Sequence, residues 1–100
     1  MRLWIDRAVI DEIADLPGNV RQRVRRAVSD LPTNPRPEQS KTLDVPDDVR
    51  EPHLEARRLR LGQWRILYVI DEALAQINIL GVRRRPPYNY DDLEELLGDS

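Results

Sequence analysis

The pattern of apolar and polar residues over 57–71, RRLRLGQWRILYVID, reads as a tight β-hairpin. Leu59 and Leu61 alternate with Arg58 and Arg60, and Trp64, Ile66, Tyr68 and Ile70 alternate with Arg65, Leu67 and Val69. A period of two marks β-strands with one face buried. Between the two runs, Gly62-Gln63 predicts a two-residue hairpin turn of type II′, which takes glycine in its first position. That turn fixes the register. Leu61 faces Trp64, Arg60 faces Arg65, Leu59 faces Ile66 and Arg58 faces Leu67. One face of the hairpin is then a core face of Leu59, Leu61, Trp64, Ile66, Tyr68 and Ile70, and the other gathers Arg58, Arg60 and Arg65.

The remaining pattern predicts the elements around this hairpin. Residues 2–6, RLWID, read as a short strand, with Asp6 placed to cap a following helix. Val9, Ile10, Ile13 and Leu16 recur at helical spacing until Pro17-Gly18 ends the run. Asn19 is the expected cap of a second helix, whose apolar stripe is Val20, Val24, Ala27, Val28 and Leu31. Two antiparallel helices joined by a Pro-Gly turn follow. Residues 32–53 carry Pro32, Pro35, Pro37, Pro46 and Pro52 among polar residues and read as a long connection ending near His53. Residues 74–82, LAQINILGV, read as the third strand of a meander, and Pro86-Pro87 forbid its continuation. Tyr88, Asn89 and Tyr90 lead into a short terminal helix, capped by Asp91 or Asp92 and apolar along Leu93, Leu96 and Leu97. The expectation is a single α+β domain over residues 1–100: an N-terminal strand, an antiparallel helical hairpin, a three-stranded antiparallel meander and a short C-terminal helix. The helices should cover the apolar sheet face.

Arginines directly opposite one another on a sheet repel, by roughly 0.2–1 kcal/mol per pair. Two readings account for such a face. It is an anion site, most naturally for phosphate, since guanidinium offers a planar fork to phosphate oxygens. Otherwise it is a solvated face neutralised by acidic neighbours. The formal net charge of −2 hides an asymmetry: residues 91–100 hold five acids and no base, leaving +3 on the rest. A basic body with an acidic tail suits nucleic-acid contact better than the whole-chain charge does. The chain has no cysteine and a single histidine, His53, so neither a disulfide framework nor a multi-histidine metal site is expected. No apolar run approaches the length that spans a bilayer, and a cytoplasmic location is expected. His53 reads first as a loop histidine and second as a proton-transfer group.

The order of elements, the RLRLGQWRILYVID hairpin, the INILGVRRR strand and a tyrosine soon after it resemble the RelE/ParE superfamily of bacterial type II toxins. The segment LPGNVRQRVRRAVSDLPTNPRP is similar to that family's helical hairpin and following loop. The resemblance covers roughly residues 2–90 and implies the RelE-like microbial RNase fold. Its RelE-like branch implies a metal-free endoribonuclease, without cofactor, that cleaves mRNA on the ribosome. Arg58, Arg60, Arg65 and Arg83 would bind and stabilise the phosphate, and Tyr88 or Tyr90 would assist. Arg57, Arg84 and Arg85 are the expected further RNA contacts. The ParE-like branch implies instead a toxin that inhibits DNA gyrase and cleaves nothing. Both imply a cognate antitoxin as partner. Where some RelE-like toxins carry lysine this chain carries arginine, which does not deprotonate and so cannot serve as a base.

Overall fold

Strand pairing, more than helix packing, sets the architecture. The computed structural model describes residues 1–44 and 51–84. Strand β1 (Arg2–Ile5) leads into helices α1 (Arg7–Ala14) and α2 (Gly18–Asp30). Strands β2 (Ser40–Thr42), β3 (Leu54–Leu61), β4 (Trp64–Asp71) and β5 (Gln76–Arg84) follow. They form one five-stranded sheet in the order β1-β5-β4-β3-β2.

The hairpin has the expected register, with Leu61 opposite Trp64, Arg60 opposite Arg65, Leu59 opposite Ile66 and Arg58 opposite Leu67. Gly62 has φ +63°, the left-handed value that the first position of a type II′ turn demands and that glycine adopts without strain. The expected core face is also the face that the helices cover. Val9 and Ile13 of α1 and Val24 and Val28 of α2 pack with Leu59, Ile66, Tyr68 and Ile70, and Ile77, Ile79 and Val82 of β5 complete the cluster. Ile66, Tyr68, Ile70 and Ile77 are fully buried, each aliphatic side chain contributing about 1.5–3 kcal/mol.

The structure corrects the sequence reading in several places. The sheet is mixed and five-stranded rather than a separate strand beside a three-stranded meander. β1 joins it in parallel with β5, Arg2 opposite Gln76 through Ile5 opposite Ile79. The long connection is not devoid of strand: Ser40–Thr42 pairs antiparallel with β3 at the sheet edge. Asn19 lies inside the first turn of α2, whose cap position is Pro17. Asp6 does occupy the cap position of α1 but makes no side-chain cap bond, and its Oδ1 accepts from Trp4 Nε1 at 3.2 Å. The expected terminal helix lies outside the described residues.

What fastens the connection is a polar cluster beside the core. Tyr68 Oη donates to Pro35 O at 2.7 Å, and Ser40 Oγ donates to Pro37 O at 2.7 Å. Arg57, only 11% exposed, donates to Ser40 Oγ at 2.8 Å, to Thr42 Oγ1 at 2.9 Å and to Glu55. Glu55 also accepts from Arg36 at 2.8 Å and from Thr42 Oγ1 at 3.0 Å. Burial pushes the Tyr68 hydroxyl up from its ordinary value, Ser40 and Arg57 opposing, so it is held as a donor. Burial likewise pushes the Glu55 carboxyl up, but hydrogen bonds from Arg36, Arg57 and Thr42 outweigh this and hold it below its ordinary value.

A lowered folded-state carboxyl stabilises the fold above the ordinary carboxylate range, and that contribution is lost as pH falls through the lowered value. Glu55→Gln should therefore unfold more easily at neutral pH, by roughly 1–3 kcal/mol for the charged hydrogen bonds lost. Its stability should also fall less steeply than the wild type's as pH drops through the acid range. Urea midpoints across that range measure both effects, and parallel acid limbs would contradict the assignment.

Candidate nucleic-acid interface

The face turned away from the helices is built from residues that the ladders place opposite one another. Arg60 stands opposite Arg65 on β4, and Arg65 stands opposite Arg83 on β5. Residues directly opposite on one face have Cβ atoms about 4.5–5.5 Å apart, so three arginines form one row across three strands. The adjacent row is Lys41, Arg58, Leu67 and Gly81. Ala56, Leu67 and Val69 are buried on this same face and give the cationic rows an apolar floor.

Arg83 reaches this face because of an irregularity. Ile77 and Ile79 point into the core, and strict alternation would send Arg83 the same way. The register shifts between Leu67 and Tyr68: Tyr68 pairs with Ile79 but Leu67 pairs with Gly81, leaving Leu80 as an extra residue in β5. Beyond this bulge the faces exchange, so that Val82 enters the core and Arg83 comes to stand opposite Arg65.

Second contacts hold these guanidinium groups. β1 ends at Ile5, opposite Ile79, and the α1 residue Glu12 takes over the edge of β5 beyond it. Its Oε1 accepts from Val82 N at 2.6 Å and from Arg83 Nη1 at 2.7 Å. Gly81 permits this approach, since a Cβ there would lie 3.0 Å from Arg83 Nη1 and 3.3 Å from Glu12 Oε1. Arg65 Nη1 donates to Gly62 O and to Trp64 O, both at 2.9 Å, which folds its side chain against the hairpin turn. A fork held in this way is oriented before any anion arrives, so less freedom is lost on binding.

Of the residues singled out in the sequence, the structure brings Arg58, Arg60, Arg65 and Arg83 together. Arg57 does not join them: it stands on the helix-covered side, within the Ser40–Thr42–Glu55 cluster. Arg84 is exposed but pairs with Trp64 and so points to the opposite side from Arg83. Arg85, Tyr88 and Tyr90 lie outside the described residues. His53 is exposed just before β3, about 20 Å along an extended strand from Arg60. Lys41 is the residue that sequence reasoning missed. It enters through β2, which carries no apolar alternation to announce it, and stands opposite Arg58. Among the described residues no three His, Asp or Glu side chains are grouped to hold a metal ion, and no helix is long and apolar enough to cross a membrane. The geometry offers a set of permanent cations for an extended polyanion.

No family model and no curated protein sequence matches the chain. Solved structures do resemble it. The archaeal RelE–RelB complex from Pyrococcus horikoshii OT3 contains a chain 23% identical, with a TM-score of 0.73 over 87% of this chain and 97% of that one. A chain of the Mycobacterium tuberculosis toxin–antitoxin complex RelBE2 is 23% identical, with a TM-score of 0.63 over 84% of this chain and 96% of that one. The isolated E. coli RelE toxin is 19% identical, with a TM-score of 0.62 over 94% of this chain and 95% of that one. The structural neighbours are thus RelE toxins over most of the chain, and at these identities the likeness is one of fold.

The arginine row predicts a trade between stability and binding. Among the described residues the Arg60 side chain has no hydrogen-bond or ion-pair partner, and it faces Arg65. Arg60→Gln should raise stability by roughly 0.2–1 kcal/mol at low ionic strength. The gain should shrink as salt rises from about 0.01 M to about 1 M and screening shortens from about 30 to about 3 Å. Thermal melts of both proteins across that series test it, and a loss of stability at low salt would refute it.

Proposed function

We propose that this chain is the toxin of a type II toxin–antitoxin pair and a metal-free endoribonuclease that cleaves mRNA on the ribosome. The observation that carries this reading is the row Arg60–Arg65–Arg83, with Arg58 beside it, on the face opposite the helices. The RelE fold and the RelE toxins that share it support the same reading.

In the proposed reaction the 2′-hydroxyl of the RNA attacks the adjacent phosphorus. The P–O bond to the next nucleotide's 5′-oxygen breaks, leaving a 2′,3′-cyclic phosphate and a 5′-oxygen that takes a proton from water to become a free 5′-hydroxyl. The arginines hold the phosphate and stabilise the charge that grows on its oxygens. One well-placed donor of this kind is typically worth about 2.7–4 kcal/mol. Arginine keeps its proton, so the proton leaving the 2′-hydroxyl needs another acceptor. Tyr88 or Tyr90 is assigned that role. Weak acid–base groups on a strong anion site fit an enzyme whose substrate is aligned by the ribosome. The Pyrococcus horikoshii and E. coli RelE proteins form complexes with RelB. We assign this chain an antitoxin partner in the same way, with an acidic segment laid across Arg58, Arg60 and Arg65.

Inducing the chain alone in a bacterial host and mapping transcript 5′ ends within minutes tests the proposal. New cuts inside translated frames are expected. Arg65→Ala should reduce them by roughly 100-fold or more, as for loss of one charge-stabilising donor. A melt of the purified variant separates lost chemistry from lost fold. Growth arrest with DNA damage and intact transcripts would replace the nuclease by a gyrase poison, and normal growth with intact transcripts would remove both.

A further inference from the structure

Strand β1 is an edge of the sheet, and among the described residues nothing pairs with its outer side. Arg2 N donates to Ala75 O at 2.9 Å. In a parallel ladder a residue bonded in this way turns both its N–H and its C=O to the neighbouring strand, and the next residue turns both away. Arg2 and Trp4 therefore bond to β5, and the N–H and C=O groups of Leu3 and Ile5 point out from the sheet. The opposite edge is blunted, since β2 has three residues and carries Lys41, whose charge discourages pairing. β1 has no lysine, no proline and no bulge. Exposed apolar surface also collects beside it. Of the four large apolar side chains exposed among the described residues, Trp4 lies within β1 and is 59% exposed, Met1 precedes it, and Leu74 adjoins the Ala75 that bonds to it. Large apolar side chains exposed together mark an interaction surface.

The strand itself says what covers it. Arg2-Leu3-Trp4-Ile5-Asp6 is complementary to its own reverse, apolar against apolar about Trp4 and base against acid at the ends. We propose that β1 pairs antiparallel with β1 of a second copy of this chain, about a two-fold axis at Trp4, joining two five-stranded sheets into one. Such an interface uses the same patch on both copies and closes on itself. Leu3 then stands opposite Ile5 of the other copy, and their outward N–H and C=O groups exchange two bonds at each such pair. Asp6 is extended, with φ −64° and ψ 153°, so the strand continues through it. Arg2 of each copy therefore stands opposite Asp6 of the other, where opposite charges attract. Among the described residues neither Arg2 nor Asp6 has an ion-pair partner within the chain. Trp4 meets its own counterpart in a close pair, with Cα atoms about 4.5 Å apart. Its indole is already oriented on that face, since Trp4 Nε1 donates to Asp6 Oδ1 at 3.2 Å. On the other face Leu3 and Ile5 are only half-buried at the rim of the core, and the second copy's pair closes over them. Residues directly opposite share a face, so both arginine rows lie on the same side of the joined sheet.

Sedimentation equilibrium of the full chain from about 1 μM to about 1 mM tests this, a range suited to an interface smaller than the usual 1,200 Å² or so. The mass should rise from one chain to two and stop there. Arg2→Asp and Asp6→Arg should each weaken the dimer about 10-fold, because each turns two attractions across the strands into repulsions. Both changes in one chain should restore the wild-type affinity, a rescue that a misfolded variant cannot give. Hydrogen exchange supplies a second readout. The amides of Leu3 and Ile5 should exchange more slowly in the dimer than in the dilute monomer, and those of Arg2 and Trp4, bonded to β5 in both, should not change. A single-chain mass at about 1 mM, single variants that dimerise like the wild type, or a double variant no better than either single one would overturn the pairing. A mass that keeps rising past two would assign the edge to head-to-tail contact with β2 of the next copy and overturn the two-fold arrangement as well.

Discussion

Side chains on a β-strand alternate between faces, so one inserted residue exchanges the fate of everything beyond it. This constraint organises the protein. The two-residue turn at Gly62 sets the hairpin in the register that puts Ile66 and Tyr68 under the helices and Arg60 against Arg65 on the far side. The extra residue at Leu80 then changes the phase of β5 after Ile79. Without it Arg83 would point into an apolar core and Val82 into the arginine row. Burying an unpaired charge is far more expensive than the irregularity of one unpaired residue in a ladder. The core and the cationic face are therefore specified by the same two local features, a glycine with positive φ and a bulge.

Holding like charges together needs a frame that does not yield. The edge strand β2 is only three residues long and has little apolar surface of its own. It stays in the sheet because Arg57 ties Ser40, Thr42 and Glu55 into one hydrogen-bonded group, while Tyr68 fastens Pro35. Backbone bonds from Leu43 to Ala56 and from Arg60 to Gln39 flank it. On the other side Glu12 completes the open edge of β5 and anchors Arg83. The surface ion pair of Arg36 with Glu72 is exposed on both sides and adds little. The Arg57 cluster is half sheltered, and its bonds to a charged donor carry more. Arginine thus plays two parts on opposite faces: a structural tie at Arg57 and a row of cations at Arg60, Arg65 and Arg83.

Much of this was legible in the sequence, for reasons that particular residues make plain. The alternation of Arg58–Leu61 and Trp64–Ile66 about the Gly62-Gln63 turn has one solution, and the structure has it. The helices were visible as Val9–Ile13 and Val24–Val28 at helical spacing, although Asn19 misled the position of the α2 cap because Pro17 had already fixed the entry. The strand at Ser40–Thr42 was invisible because its residues are polar on both faces and its stability comes from a partner far along the chain. The parallel pairing of β1 with β5 left no local trace either. Three arginines stand in succession at Arg83, Arg84 and Arg85, and the choice of Arg83 for the phosphate rested on the resemblance rather than on the alternation. Only the bulge separates Arg83, which joins the row, from Arg84, which faces away.

The chemistry of the row limits what it can do unaided. Four arginines and a lysine concentrate positive charge on a rigid surface, which strengthens the hold on a phosphate and on the charge that develops during its transfer. The same guanidinium groups keep their protons, so they cannot deprotonate a hydroxyl. A site of this composition is strong in binding and weak in proton transfer. On the proposed reading its rate is then set by how well the attacking hydroxyl and the leaving oxygen are lined up, a task that an external scaffold can supply. On that reading the cations are already in place in the free chain, and reaction waits on the alignment of the substrate.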